Sequence, residues 1–163
     1  MELHTRPSNQ PKQMSSIGDE SNAFEVLARS DLRLLSVLKS DREQDLICRI
    51  AKQFPWSMEF AKNGAQALQI LNERPTQIVL FDIDLLGLDW KSDLTTIVCS
   101  PSQPSVVLIS TGVSDTVWEE VIDCGGYDVL DVPLQEVKTK RTLLYAWRFW
   151  ANCRSHARMH LQA

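Results

Sequence analysis

The sequence predicts an α/β domain built on a doubly wound, five-stranded parallel sheet. Three observations carry this. From Asp31 onward, short apolar runs alternate with stretches of helical periodicity. Two of those runs, Ile78 to Phe81 and Val106 to Ile109, are wholly apolar, as strands buried on both faces are. Polar residues, Asp82 and Ser110, stand directly at the ends of those two runs.

The elements follow in order. Leu32, Leu34, Leu35, Val37 and Leu38 form a first strand. Ser40 precedes Asp41-Arg42-Glu43, a helix-start signature with an acid three residues on. Leu46, Ile47, Ile50, Ala51 and Phe54 continue that helix at the right spacing until Pro55 closes it. Trp56 to Ala61 reads as a second strand, and Asn63-Gly64 as a turn before a helix bearing Ala65, Ala67, Leu68, Ile70 and Leu71. The third and fourth strands are the two apolar runs. Val117 to Cys124 is helical and ends at Gly125-Gly126. Val129-Leu130 is a short last strand before Pro133, with Asp128 capping its start. Val137 to about Asn152 forms a long final helix. Right-handed crossovers restrict such a chain to few topologies, and function then sits at the carboxyl ends of the strands.

Composition narrows the function classes. The chain has 163 residues, 44% hydrophobic and 23% charged, enough for one domain with its own core. A net charge of −4 argues against nucleic-acid binding by the whole molecule, because phosphate contacts need clustered Lys and Arg. No apolar run approaches the roughly 20 residues that span a bilayer, and the N-terminus has no signal-peptide pattern. Cys48, Cys99, Cys124 and Cys153 form no CxxC pair and have no histidine at zinc spacing, so they read as reduced, mostly structural thiols of a cytoplasmic protein. Residues 1–29 are mostly polar, with a helical turn at Ala23 to Leu27. With its polar stretch to about Asn22, which carries Pro7, Pro11, Ser15, Ser16 and the single glycine Gly18, the segment 1–29 reads as a disordered or partly helical tail. The domain spans 30–152, and 153–163 form a basic C-terminal tail. No effector domain is expected after it. The segment Lys39-Ser40-Asp41 contains no glycine, which argues against a phosphate-cradling nucleotide loop.

The strand tips carry a family resemblance. IVLFDIDLLGLDW, Ile78 to Trp90, resembles the phosphoacceptor segment of response-regulator receiver domains, with Asp82 on the acceptor and Gly87 and Asp89 matching. SVVLIST places Ser110 on the family's switch hydroxyl. CGGYDVLDVPL, Cys124 to Leu134, resembles the last-strand segment, in which a cis bond precedes the proline. The resemblance covers about 120 residues, Asp31 to Asn152. It implies a flavodoxin-like (receiver) fold with strand order 2-1-3-4-5. It also implies a non-enzymatic role in two-component phosphorelay signalling, with a sensor histidine kinase or another signalling protein as partner.

The departures alter the chemistry that the resemblance implies. The family's acidic pair falls at Lys39 and Ser40, its lysine at Val132 and its aromatic switch at Val129. Leu86 and Trp90 replace the family's Pro and Gly. Phosphoryl transfer to a carboxylate depends on positioning and charge neutralisation, and Mg²⁺ needs oxygen ligands. Val132 donates no hydrogen bond, and Lys39 would repel a cation. Two readings follow. Lys39 acts as a built-in counter-charge to Asp82, with no cofactor; or Asp82, Asp84 and Asp41 together hold Mg²⁺ weakly. The first makes the chain a pseudo-receiver that works by protein–protein contact. The alternative is a phosphorylatable stand-alone receiver that takes a phosphoryl group on Asp82.

The last helix adds a partner surface. LLYAWRFWANCR holds four rings that cannot all face one core stripe. Leu143, Leu144, Trp147 and Ala151 suit burial. Tyr145, Arg148, Phe149 and Trp150 then suit a homodimer contact, since interfaces favour aromatics and arginine; the competing reading packs these rings against the N-terminal segment. The basic residues after Glu136 read as a solvated helix end that complements the helix dipole.

Overall fold

The computed structural model describes residues 31–86 and 89–161. The tail assigned to residues 1–29, and Gly87, lie outside the described residues. Five strands run in parallel: β1 Arg33–Val37, β2 Ser57–Phe60, β3 Ile78–Asp82, β4 Ser105–Ser110 and β5 Asp128–Asp131. They lie in the order β2-β1-β3-β4-β5, as the resemblance implied. The helices are α1 Asp41–Ala51, α2 Gly64–Glu73, a short α3 Ile83–Leu86, α4 Trp90–Val98, α5 Asp115–Asp123 and α6 Glu136–Leu161.

Strand periodicity builds two cores. Successive side chains point to opposite faces of the sheet. Leu35, Val79, Phe81 and Leu108 therefore pack with Leu71 of α2, Leu94 and Ile97 of α4 and Val121 of α5. Leu34, Ile78, Leu80 and Ile109 pack on the other face with Ile47 and Ile50 of α1 and Leu143 and Ala146 of α6. Every residue of the central strands β3 and β4 is buried, which is why those runs lack any polar alternation. The edge strand β2 is exposed at both ends.

Local chemistry sets the helix starts. Asn63 accepts the backbone N–H of Gln66 at 2.9 Å and caps α2; Ser114 does the same for α5 from Val117 at 3.2 Å. At α1 the outcome differs from the motif. The Ser40 side chain makes no capping bond, although the helix does start after it.

Two helices depart from the sequence reading. α4 lacks a clear signal because Thr95, Thr96, Ile97 and Val98 are β-branched, and such residues favour strands. The helix forms because Leu94 and Ile97 bury completely against the sheet. The hydroxyls of Thr95 and Thr96 donate back to the carbonyls of Lys91 and Ser92. α6 runs to Leu161, past Asn152. No helix-stopping Gly or Pro stands in the interval, so nothing local ends it earlier. No helix among the described residues is long and apolar enough to cross a membrane. Of the thiols, Cys48 and Cys124 are half-buried, and Cys99 and Cys153 are exposed.

Candidate functional site

Asp82 is the last residue of β3 and is 9% exposed. The strand places it there: Ile78 to Phe81 fill the sheet centre, and the chain turns into α3 immediately after. The Asp84 backbone N–H donates to Asp82 Oδ1 at 2.9 Å. Burial pushes the Asp82 carboxyl above its usual value. The Asp84 N–H opposes this, the nearby Asp84 charge adds to it, and the Lys39 backbone N–H and ammonium pull it down. The balance remains upward.

Neighbouring strand ends bring the other predicted residues to the same rim. Asp82 pairs in register with Ile109, so Ser110 lies one step beyond it on the adjacent strand. Ser110 is buried, and its hydroxyl accepts the Gly112 N–H at 3.2 Å. Val132 donates its backbone N–H to the Ser110 carbonyl at 3.1 Å. The Val132 side chain packs with the α1–α6 core layer. The Val132–Pro133 bond is cis, as the resemblance implied.

Lys39 is exposed and follows β1. Its ammonium makes no ion pair within 4 Å among the described residues, so the close contact expected with Asp82 is replaced by a longer-range charge effect. Asp41 is exposed at the start of α1, and Asp84 is exposed in α3. No three acidic, histidine or cysteine side chains gather into a group that could hold a metal ion among the described residues. Asp41, Asp82 and Asp84 are thus not brought together as a three-carboxylate site. Lys39 and Ser40 occupy the first strand's tip, leaving Asp82 and Asp84 as the carboxylates that sense each other. This donor set fits a hard divalent cation poorly.

Two acids at this rim have structural roles that the sequence did not reveal. Glu43 is 5% exposed and accepts the Leu134 backbone N–H at 3.2 Å. Asp131, the last residue of β5, accepts the Val113 N–H at 3.3 Å, tying the loop after β4 to the end of β5. In the sequence Glu43 looks like a helix-start acid. Its position against the loop that follows β5 appears only once α1 packs on the sheet.

On α6, Leu143, Leu144 and Ala146 are buried, and Phe149 is 53% exposed. Trp150 is half-buried and donates to the Ser102 carbonyl at 3.2 Å, so it belongs to an internal contact. Phe149 stands against Tyr127, with ring centroids 5.3 Å apart.

No protein-family model matches the chain. An NtrX-like response regulator from Rickettsia bellii (strain RML369-C) is 32% identical over 113 residues, covering 66% of this chain. The match spans only 23% of that relative's length. NtrX from Brucella abortus superposes with a TM-score of 0.70 at 22% identity, over 80% of this chain and 29% of that one. A CheY-like response regulator receiver domain protein from Methanospirillum hungatei JF-1 gives a TM-score of 0.66 at 15% identity, over 76% of this chain and 98% of that one. The described domain, a five-stranded parallel sheet in the order 2-1-3-4-5 with helices on both faces, has the fold of CheY-like response-regulator receiver domains.

Proposed function

We propose that this chain is an atypical receiver module of two-component, phosphorelay signal transduction. It acts by protein–protein interaction, with weak or no Mg²⁺-dependent phosphorylation. One observation carries this reading: the side chain at position 132 is apolar and packs into the α1–α6 layer, so it offers no charge to an acyl phosphate on Asp82. The first strand's tip offers Lys39 and Ser40 where two acids would hold a metal. Lys39 adds only a weak, longer-range counter-charge, the smallest of the influences that lower the Asp82 carboxyl. Ser110 keeps the position of a switch hydroxyl beside the acceptor strand.

A sensor histidine kinase or another signalling protein is the expected partner. A second copy docking on the last helix is a further one, with exposed Phe149 as its anchor and Arg148 beside it.

The second reading is a phosphorylatable receiver that accepts a phosphoryl group on Asp82. The buried carboxylate at a strand tip, with Ser110 on the neighbouring strand, favours it. Treatment with acetyl phosphate and Mg²⁺, followed by intact-protein mass spectrometry, separates the two. The proposal expects no added phosphate. An acid-labile phosphate on the native chain that is absent from Asp82→Asn would establish the second reading.

A further inference from the structure

A cleft of about 380 Å³ lies at the end of the sheet opposite Asp82. It opens beside Ser105, which begins β4, and Tyr127, which precedes β5. Its volume falls in the range of small-molecule pockets, roughly 300–1,000 Å³. Three aromatic side chains, Tyr127, Phe149 and Trp150, line it.

The charge of the cleft has one sign. Arg154 is the only charged residue among its described lining, and no acid faces it. The guanidinium is already fixed. Its Nη2 donates to the Ser102 carbonyl at 2.8 Å, and its carbon lies 5.0 Å from the Trp150 ring centre. Trp150 donates to the same carbonyl. One bond occupies one of the five N–H donors of an arginine, so the fork retains donors for an incoming acceptor. Gln103, also in the lining, has φ of 45°, a left-handed conformation that costs free energy in a residue with a side chain. Strain of this kind, a preset cation–ring pair and aromatic walls meet nowhere else among the described residues.

We infer that this cleft binds a small planar aromatic anion, its ring lying among Tyr127, Phe149 and Trp150 and its carboxylate or equivalent group on Arg154. Apolar walls favour a flat ring, and a guanidinium with no acid beside it favours a negative group. The cleft joins α4, the start of the last two strands and α6. A ligand there would therefore stabilise the domain from the end remote from Asp82.

The test uses the full chain labelled with ¹⁵N and two probes, 2-naphthoate and the uncharged 2-naphthalenemethanol. The expected result is saturable, one-to-one binding of 2-naphthoate in the millimolar range or tighter, with shifts confined to signals around Cys99, Gln103, Tyr127 and the Trp150 indole. Arg154→Gln should weaken 2-naphthoate about ten-fold, the scale of a charge-assisted bond, and leave 2-naphthalenemethanol within about two-fold. Cys99→Phe, at an exposed position on the wall, should fill the cleft and abolish binding of both. Non-saturating shifts, shifts spread over the surface, or 2-naphthoate binding unchanged in both variants would each overturn the assignment. Matching ¹⁵N spectra of the variants without probe verify that they fold.

Discussion

The Leu134 backbone N–H donates to the Glu43 carboxylate at 3.2 Å, so an acid in the first helix holds the loop that follows the last strand. The two residues are 91 positions apart in sequence. The bond joins α1 to the segment carrying Val132 and Pro133, next to the Ser110 end of β4. The loop thus has an anchor in α1, independent of the Asp82 carboxylate.

Replacing Glu43 with alanine should therefore cost stability. It leaves a partly buried N–H without its acceptor, which costs about 1–3 kcal/mol. Glu43→Gln keeps an acceptor oxygen and should cost less than half as much. Urea unfolding of the three proteins measures both, and equal losses in the two variants would refute the role of the bond.

Asp82→Asn should raise the melting temperature at neutral pH. Burial holds the Asp82 carboxyl above its usual value in the folded state. The folded protein therefore prefers the protonated form, and the charged carboxylate opposes folding once the pH exceeds the folded-state value. Below the ordinary carboxylate range both states are protonated and that penalty disappears. The advantage of Asp82→Asn over the native chain should consequently shrink as the pH falls through that window. Melting curves taken at a series of pH values check the sign; a benefit that grows on acidification would contradict it.

Lys39→Ala should move the Asp82 titration upward, and Lys39→Glu further upward. The ammonium is one of the groups that pull this carboxyl down, though the weakest of them. The backbone N–H of residue 39 remains in either variant, so the change for Lys39→Ala should be smaller than the shift caused by burial. Carboxyl ¹³C NMR titration of Asp82 reads this directly, and an unchanged midpoint in Lys39→Glu would remove Lys39 from the site's electrostatics.

Gly126→Ala should destabilise the domain by about 1–3 kcal/mol, the usual cost of overpacking. A Cβ at this position would stand 2.5 Å from Val121 Cγ1 and 3.0 Å from the Val121 carbonyl oxygen. The turn from α5 into β5 passes too close to its own helix to admit a methyl group. Chemical denaturation gives the value, and a loss below about 0.5 kcal/mol, the scale of an ordinary surface change, would show that the backbone moves aside freely.

The central strands were legible because burial on both faces permits few choices of residue. Ile78 to Phe81 and Val106 to Ile109 admit no polar side chain, so the runs announce themselves. α4 was not legible, because its β-branched residues oppose the helix that Leu94 and Ile97 anchor. The end of α6 was not legible either, since helix length past the last core contact has no periodic signal.

By itself, the sequence determined the alternation of strands and helices, the parallel sheet and the placing of Asp82, Ser110 and Val132 at strand tips. These follow from local periodicity and from where each apolar run stops. Only the tertiary structure decided which charges Asp82 meets. It set Lys39 beyond ion-pair distance, left Asp41 exposed, turned the Val132 side chain into a core layer and gave Glu43 a partner 91 residues away. Side-chain direction at a loop depends on what packs beneath it, and that information is distributed over the whole sheet.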